Sequence, residues 1–257
     1  MPRNIILIPT RLESKRLPSK ALLKIENLPI ILHTYYRAKL SKLADEVYVC
    51  THSSKIINEC KKYNIKYIKT SDHPRNGTER IAEAIKKIKS HKKDTIIDVQ
   101  GDEPLIDPKN IDKTIKFFKK NKFNIVVPNI KISVNQAINK NIVKMIVNNK
   151  NKIIWMSRSR IPFLHNLKKN FFLKHLSVIV FTKESLLKYS KLKKSKYEMI
   201  ESIELLRAIE NNLNLGSTTL RGDSFSIDVI NDYKNALIAF KNDKIKKKYL
   251  GKIKKIS

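Results

Sequence analysis

The chain has 257 residues, with 54 Lys and Arg against 23 Asp and Glu, which gives a formal net charge of +31. With 41% apolar residues it can bury one large core or two modest ones, and no apolar run approaches the roughly 18 residues of a membrane span. The lysines are spread along the chain together with many Ile and Asn residues, all encoded by A/T-rich codons. We therefore interpret the charge as codon bias rather than a nucleic-acid-binding surface, and expect neither membrane insertion nor a nucleic acid partner.

The N-terminal residues form a strand-like apolar run without a charged leader and cleavage site, so we expect a cytoplasmic protein. The two cysteines, Cys50 and Cys60, match no metal-ligand spacing and are expected to be reduced structural thiols. The lysine-rich stretch 241–255 is typical of a basic arm, and we expect it to solvate a final helix.

In the first half, short runs rich in Ile and Val alternate with longer stretches of helical period. This alternation predicts a mostly parallel, Rossmann-like sheet covered by helices, with ligands at the carboxyl ends of the strands. In chain order the predicted elements are a strand at 5–9, a helix at 30–40, a strand at 46–50, a helix at 54–63, a strand at 66–68, a helix at 78–88, a strand at 95–99, a helix at 108–119 and a strand at 124–127.

After about residue 133 the pattern becomes rich in strands, which predicts a β-rich insert lobe. We predict two strands within 141–157 joined by an Asn/Lys turn, one strand within 171–182, a helix at 199–210, a strand near 218–220 and a helix at 231–240. No internal repeat or Gly/Ser-rich linker is present. The sequence therefore predicts a single α/β domain over 1–257, with a core at about 1–133 and 217–245 and an insert at about 134–216.

The loop after the first strand carries four cations in ten residues, Arg11, Lys15, Arg16 and Lys20. It lacks the glycines of a Walker or dinucleotide-binding turn, so a phosphate would have to be bound by side chains, with arginines as forks and a lysine as a point charge. A solvated loop is an equally good interpretation of these residues taken alone.

Acidic residues follow the strand at 95–99, in the sequence QGDEP. Asp102 and Glu103 at a strand tip suit a hard cation such as Mg²⁺, and Gly101 would let the backbone come close to a ligand. The alternative is that one of these acids caps the following turn. Asp228, in SIDVIND, could supply a distant second ligand, although by itself an N-cap role for Asp228 or Asp232 is the better supported interpretation.

The segment NGTERIAEAI begins a helix whose N-terminus could accept polar ligand groups near Gly77 and Thr78. A plain N-cap by Asn76 or Thr78 is an equally common arrangement.

Taken together, these motifs resemble the 3-deoxy-manno-octulosonate cytidylyltransferase family. The resemblance is carried by PTRLESKRLPSK (9–20), GTER (77–80) and VQGDEP (99–104), in this order and spacing. In the second half, SRSRIP (157–162), KHL (174–176) and YEMIESIELLR (197–207) resemble the sugar-side segments of that family. The resemblance covers nearly the whole chain and is strongest in the first 105 residues.

The resemblance implies a nucleotidyltransferase that moves CMP from CTP to the anomeric hydroxyl of 3-deoxy-D-manno-octulosonate (Kdo) and releases pyrophosphate. It further implies Mg²⁺ as cofactor, a place in lipopolysaccharide biosynthesis in a bacterial cytoplasm, and a homodimer formed through the insert. The core at 1–133 and 217–245 would bind CTP, and the insert at 134–216 would bind the sugar acid.

The resemblance also implies roles for individual residues. Those for CTP are Arg11, Ser14, Arg16, Lys20, Thr78 and Gln100. Catalysis would rest on Lys20, Arg16 and Asp102, and Mg²⁺ would be held by Asp102 and Asp228. The sugar acid would face Arg158, His175, Glu204 and Arg207. Without the resemblance, His175 would be interpreted as a core histidine and Glu204 as part of a solvated helix face.

Several positions depart from the family pattern. Ser19 replaces a glycine, which would be unfavourable if the backbone there has positive φ, and His52 replaces an aspartate. On the sugar side the departures are Ser177, Ile179, Met199 and Leu205. Because a lost hydrogen bond can change substrate discrimination strongly, a modified octulosonate or another ulosonic, sialic-like acid stays open as acceptor. A distant alternative is a non-catalytic polyanion-binding paralogue.

Overall fold

The structure is a computed structural model and describes residues 2–14, 16–165, 171–222 and 225–253. Lys15 and the last residues of the basic tail, 254–255, lie outside the described residues. None of the described helices is both long and apolar enough to cross a membrane.

Strands and helices alternate along the first half, as predicted. The strands are β1 (Asn4–Pro9), β2 (Lys24–Ile25), β3 (Leu28–Pro29), β4 (Glu46–Thr51), β5 (Tyr67–Lys69), β6 (Thr95–Val99), β7 (Ile125–Val126), β8 (Asn129–Ile132), β9 (Lys144–Val147), β10 (Ile153–Ser157), β11 (Phe172–His175), β12 (Val178–Thr182) and β13 (Leu215–Gly216). The helices are α1 (Ile30–Lys39), α2 (Ser54–Lys62), α3 (Gly77–Ala84), α4 (Pro108–Lys120), α5 (Val134–Ala137), α6 (Lys183–Ser190), α7 (Lys196–Glu201), α8 (Leu206–Glu210) and α9 (Ile230–Lys241).

A seven-stranded sheet in the order β13-β7-β12-β6-β1-β4-β5 forms the centre of the molecule. β1 pairs in parallel with β4 and β6, whereas β12 runs antiparallel to β6 and β7. Every residue of β1 is buried, with Ile5 and Leu7 in the core on one face and Ile6 and Ile8 in the core on the other. Such two-sided burial explains the continuous apolar run at the N-terminus. The mostly parallel α/β core is confirmed.

The insert lobe contains a separate antiparallel sheet in the order β10-β9-β11-β8. β9 and β10 are the predicted pair joined by an Asn/Lys turn, and they pair as expected. The strands are not divided between the two sheets at residues 134 and 216, where the insert was predicted to begin and end. β8 (Asn129–Ile132) comes before residue 134 but belongs to the sheet of the lobe. β12 and β13 come before residue 217 but belong to the central sheet.

The single strand predicted within 171–182 is wrong, since the structure has two strands there in two different sheets. β11 belongs to the lobe and β12 to the central sheet. The chain crosses between them at Leu176, whose N–H donates to the Pro128 carbonyl, and Ser177, whose carbonyl accepts from the Gln100 N–H at 3.3 Å. The crossing therefore lies directly beside the residues that follow β6.

Two further predictions near the end of the insert need correction. The helix predicted at 199–210 is divided into α7 and α8 by Ser202, which has φ of 51°. The carbonyls at the end of α7 bind Arg158 instead of continuing the helix. Arg158 donates from Nε to the Glu201 carbonyl at 2.8 Å and from Nη2 to the Ser202 carbonyl at 3.1 Å. The strand predicted near 218–220 is a single bridge between Thr219 and Asn129, and β13 comes earlier in the chain.

Candidate active site

A cleft of about 840 Å³ opens where β1 and β6 end. This is the edge of a parallel sheet where ligands bind. Four segments line it: the loop after β1, the residues before and within the start of α3, the residues after β6, and the residue Asp228 just before α9. Of the residues predicted from the sequence, the lining includes Arg11, Ser14, Arg16, Lys20, Gln100, Asp102 and Asp228.

The centre of the cleft is an ammonium group between two carboxylates. Lys20 Nζ lies 2.5 Å from Asp102 Oδ2 and 2.9 Å from Asp228 Oδ1, and Arg16 Nη2 lies 3.0 Å from the same Asp228 oxygen. Burial by itself would lower the pKa of Lys20, but the two carboxylates outweigh it and raise that pKa. Burial would raise the pKa of Asp228, and Lys20 and Arg16 lower it instead. The two predicted metal ligands are thus brought together around one cation.

The backbone at Ser19 aims Lys20 into the cleft. Ser19 has φ of 54°, in the left-handed region that favours glycine, and Lys20 begins a single 3₁₀ turn. The Leu22 N–H closes that turn on the Ser19 carbonyl at 2.8 Å. The positive φ suspected from the missing glycine is therefore present, and the serine adopts it at some cost in conformational energy.

Asp228 is held in place by the first turn of α9. Asp232 Oδ2 accepts from the N–H groups of Asp228 at 2.9 Å and Val229 at 3.0 Å, so the capping role belongs to Asp232. The Ile227 N–H donates to the Asp102 carbonyl at 3.0 Å. This backbone bond joins the segment carrying Asp228 to the end of β6 and sets the two carboxylates side by side.

Close packing explains Gly101. A Cβ at this position would lie 3.0 Å from the Pro9 carbonyl and 3.1 Å from Thr10 Cβ. The glycine is thus required by the end of β1, rather than by a ligand as the sequence suggested. Glu103 is buried and does not belong to the cleft lining.

Gln100 is oriented by a buried acid that sequence reasoning missed. Its Nε2 donates to Asp98 Oδ1 at 2.9 Å and Oδ2 at 3.0 Å. Asp98 is fully buried, and burial, together with the nearby Glu204 carboxyl, raises its pKa well above the ordinary range. The sequence does contain a sign that Asp98 is unusual, because it is the single acidic residue in the otherwise apolar strand TIIDV.

A second missed residue is Arg80, the last letter of GTER. It lines the cleft although it is only 3% exposed, and its Nη1 donates to Thr70 Oγ1 at 2.6 Å and to the Ser71 carbonyl at 3.0 Å. Burial lowers its pKa. Arg80 thus adds a cation to the cleft lining.

The start of α3 is capped by Asn76, whose side-chain oxygen accepts from the Glu79 N–H at 2.8 Å. The N-cap interpretation is therefore correct for Asn76. Thr78 is only 2% exposed and its hydroxyl is directed to the Glu204 carboxyl. Thr78 is thus placed toward the sugar-side residues rather than in the cleft lining.

Two of the predicted sugar-side residues carry buried atoms without a partner. Among the described residues, His175 Nε2 and Glu204 Oε1 have no hydrogen-bond partner. Burial lowers the pKa of His175 to about 4 and raises the pKa of Glu204. Buried polar atoms are nearly always paired in folded proteins, so each of these two atoms is a candidate for a hydrogen bond to a bound molecule.

The two predicted sugar-side arginines are engaged within the protein. Arg207 is fully buried, with Nε and Nη2 donating to the Glu198 carboxylate at 2.7 and 2.5 Å. The structure therefore does not bring its charge to the cleft. Arg158 donates to four main-chain carbonyls, those of Glu201, Ser202, Lys140 and Asn141.

The positions that depart from the family pattern fall in different environments. Ile179 and Leu205 are buried in the core, at 8% and 4% exposure, whereas Met199 is 62% exposed. Ser177 contributes its carbonyl to the Gln100 N–H. His52 Nε2 lies 3.3 Å from Glu13 Oε1. Met199 thus faces solvent, while Ile179 pairs with Asp98 in the sheet.

The residues present are compatible with Mg²⁺. Mg²⁺ takes one or two protein carboxylates and completes its shell with substrate phosphates and water. Asp102 and Asp228 supply two such carboxylates at the cleft, and the ammonium of Lys20 already shows that the pair attracts a cation. No group of three or more His, Cys, Asp or Glu residues suited to a metal occurs in the part of the chain that the structure describes.

Comparison with known proteins gives a consistent result. A family model described as cytidylyltransferase matches residues 5–216. A 3-deoxy-manno-octulosonate cytidylyltransferase from Thermodesulfovibrio yellowstonii is 37% identical over 240 residues, covering 89% of this chain and 94% of the relative. One from Chlorobium limicola is 35% identical, covering 89% and 93%. An 8-amino-3,8-dideoxy-manno-octulosonate cytidylyltransferase from Shewanella frigidimarina is 34% identical, covering 88% and 94%.

Among solved structures, a CMP:2-keto-3-deoxy-manno-octonic acid synthetase complexed with CTP aligns with a TM-score of 0.88 and 29% identity, covering 93% of this chain and 98% of that one. More distant structures share the fold, among them one described as a putative glucose-1-phosphate thymidylyltransferase from Bacillus anthracis, with a TM-score of 0.65 and 14% identity. The chain therefore belongs to the cytidylyltransferase family, in its 3-deoxy-manno-octulosonate cytidylyltransferase branch, and is a nucleotidyltransferase.

Proposed function

We propose that this protein transfers CMP from CTP to the anomeric hydroxyl of Kdo and releases pyrophosphate. The observation that carries the proposal is the cleft at the end of β1 and β6, where Arg16 and Lys20 meet Asp102 and Asp228. The names of the relatives support the acceptor, and the neighbouring structure solved with CTP supports the nucleotide.

The cations of the cleft would bind the triphosphate. Arg11 and Arg16 are exposed at its rim, while Lys20 and Arg80 lie deeper. Arginine binds phosphate oxygens as a two-donor fork and lysine as a point charge. Attack of an alcohol on an α-phosphate depends on positioning and on neutralising charge, and Lys20 would neutralise the departing pyrophosphate.

Asp102 and Asp228 would hold Mg²⁺, which when bound neutralises phosphate charge and lowers the pKa of a coordinated hydroxyl. No covalent enzyme intermediate is required. Both cysteines are buried, and burial raises the pKa of Cys60 to about 12. Burial likewise raises the pKa of Cys50, so neither thiol is suited to be a nucleophile.

The sugar acid would be bound between the end of β11 and the start of α8. Among the residues that the structure describes, His175 Nε2 and Glu204 Oε1 are buried without a hydrogen-bond partner, and both are suited to bind sugar hydroxyls. We assign the sugar carboxylate to Arg158, which is partly exposed although it donates to main-chain carbonyls. We assign Arg207 a supporting role, in which it holds Glu198 and α7 in place. Because burial holds the pKa of His175 near 4, its imidazole would act as a neutral hydrogen-bonding group.

The proposal is tested by pyrophosphate release from purified protein with CTP, Mg²⁺ and one acceptor at a time. Kdo should give the highest kcat/KM, above 8-amino-3,8-dideoxy-manno-octulosonate and a sialic acid. Asp102→Ala should abolish release while leaving the fold intact. A higher kcat/KM for the amino sugar would contradict Kdo as the acceptor but would still support CMP transfer from CTP. Nucleic acid binding without any turnover would favour a polyanion-binding protein.

We further propose that the protein acts in the cytoplasm as a homodimer and supplies activated sugar for lipopolysaccharide. Exposed apolar side chains on the lobe support an interface there: Ile154 on β10 is 51% exposed, and Met199 and Ile200 on α7 are 62% and 66% exposed. Light scattering on wild type and on Ile200→Asp checks the dimer. A wild-type monomer at micromolar concentration would contradict it.

A further inference from the structure

We propose that Lys20 is an internal counterion that occupies the cation site of the nucleotide-free protein, so that divalent metal and CTP bind cooperatively. The inference rests on the proposed function and concerns the regulation of that same cleft.

The contacts of Lys20 carry the first step. Its Nζ donates to Asp102 Oδ2 at 2.5 Å and to Asp228 Oδ1 at 2.9 Å. The two oxygens on which a metal ion would depend are thus already accepting hydrogen bonds from one ammonium. The Lys20 side chain is only 17% exposed, so solvent screens this arrangement less than it screens a surface ion pair.

Charge balance gives the second step. Two carboxylates that converge on one point repel each other, and the Lys20 ammonium compensates their charge. A metal ion that bound without nucleotide would have to expel the ammonium into a cleft that also contains Arg11, Arg16 and Arg80. Expulsion toward three arginines is unfavourable, and metal affinity of the nucleotide-free protein is therefore low.

A triphosphate changes this balance. It brings several negative charges to the same cleft and offers Lys20 a new partner, which frees both carboxylates for the metal. Metal and nucleotide therefore increase each other's affinity, and this coupling must be reciprocal. Arg16 takes part to a smaller degree, because, of the two carboxylates, it pairs with Asp228, and its side chain is 56% exposed.

The test is Mn²⁺ binding to nucleotide-free protein, followed by electron paramagnetic resonance. Lys20→Met should bind Mn²⁺ about 10-fold or more tightly than wild type, within the usual range of such couplings. Arg16→Met should show a smaller gain. Lys24→Met, which removes an exposed lysine four residues further on, should bind as wild type does. Adding Asp228→Asn to Lys20→Met should abolish the gain.

Thermal unfolding gives a second measurement in case Lys20→Met folds poorly. If metal replaces the ammonium, Mg²⁺ should raise the Tm of Lys20→Met more than that of wild type. If wild type turns over CTP, but Lys20→Met and wild type have equal Mn²⁺ affinity and equal Mg²⁺ effects on Tm, the counterion inference is overturned and the proposed function is not. Absence of both turnover and Mn²⁺ binding in the presence of CTP overturns the proposed function as well.

Discussion

The side-chain amide of Gln100 donates through Nε2 to both carboxylate oxygens of Asp98, at 2.9 and 3.0 Å. A carboxyl group at 0% exposure is thus paired with a neutral amide rather than a cation. Burial, the neighbouring Glu204 and, to a smaller degree, Asp102 raise the pKa of Asp98. The folded chain therefore holds a proton at Asp98 at pH values where the unfolded chain has lost it.

This pKa shift predicts that Asp98→Asn stabilises the protein at neutral and alkaline pH. The stability that a raised-pKa acid contributes is complete below the unfolded value near 3.8 and is lost as pH rises toward the folded pKa. Asn cannot ionise and keeps an oxygen for Gln100 Nε2, so the variant avoids this loss. The expected gain in unfolding free energy is on the order of 1 kcal/mol or more.

Urea unfolding at pH 4.5, 6 and 8 measures the effect. The difference between Asp98→Asn and wild type should grow from the lowest pH to the highest. Asp107→Asn, at the N-cap of α4, is the matched control and should show no such growth. An Asp98→Asn protein no more stable than wild type at pH 8 would contradict the predicted ionisation behaviour.

Lys20→Ala is predicted to lower kcat about 100-fold to 1000-fold, because a preorganised cation that stabilises developing phosphate charge has effects of that size. Steady-state pyrophosphate release at saturating CTP and acceptor measures it. Lys24→Ala removes an exposed lysine on the neighbouring strand and should leave kcat unchanged. An unaltered rate in Lys20→Ala would exclude a catalytic role for Lys20 and leave it only its ion pairs with Asp102 and Asp228.

Ser19→Gly is predicted to stabilise the protein by up to about 1 kcal/mol, since glycine adopts positive φ without the steric cost that a Cβ brings. Ser53→Gly is the opposite case, because Ser53 has φ of −72° and gains nothing from glycine. Denaturant unfolding of the two variants should therefore give changes of opposite sign. If Ser19→Gly destabilises the protein, the Ser19 hydroxyl contributes more to the free energy of unfolding than the positive φ of its backbone costs.

The sequence predicted the core of this fold well because each strand of the parallel sheet is a separate apolar run bounded by a helix of clear period. β1 and β6 are buried throughout, and the residues that follow them could only meet at one edge. Lys20 and Asp102 follow β1 and β6, so this topology brings them together. Asp228 joins them if it is recognised from the sequence as a second acidic ligand.

The remaining features depend on contacts between distant residues. The change of sheet at Leu176 and Ser177 is fixed by Pro128 and Gln100, which no local pattern reveals. α7 ends at Ser202, whose carbonyl accepts a hydrogen bond from the side chain of Arg158, a residue distant in the sequence. Asp98 could be recognised as unusual in the sequence, but its interaction with Glu204 required the fold.

Arg207 is predicted to be structural. Removing one partner of a buried ion pair leaves an uncompensated charge, so Arg207→Ala should cost about 3 kcal/mol or more. Arg75→Ala breaks a pair with Glu79 in which the Arg75 side chain is 56% exposed, and it should cost much less than Arg207→Ala because solvent screens this pair. Unfolding free energies of both variants test this. An unchanged stability with a raised KM for the sugar acid would restore Arg207 to the sugar site.

His175→Ala is predicted to raise the KM for the sugar acid about 10-fold or more and to leave the KM for CTP unchanged, because a lost hydrogen bond to a substrate hydroxyl acts on that substrate alone. Burial, with Lys174 and Arg158 nearby, lowers the pKa of His175 to about 4. The imidazole is therefore neutral from pH 6 to 8, and the wild-type KM for the sugar acid should show no inflection from this residue in that range. Initial rates at varied concentrations of each substrate, taken at several pH values, measure both effects. Equal increases in the two KM values would instead indicate a general loss of structure at the end of β11.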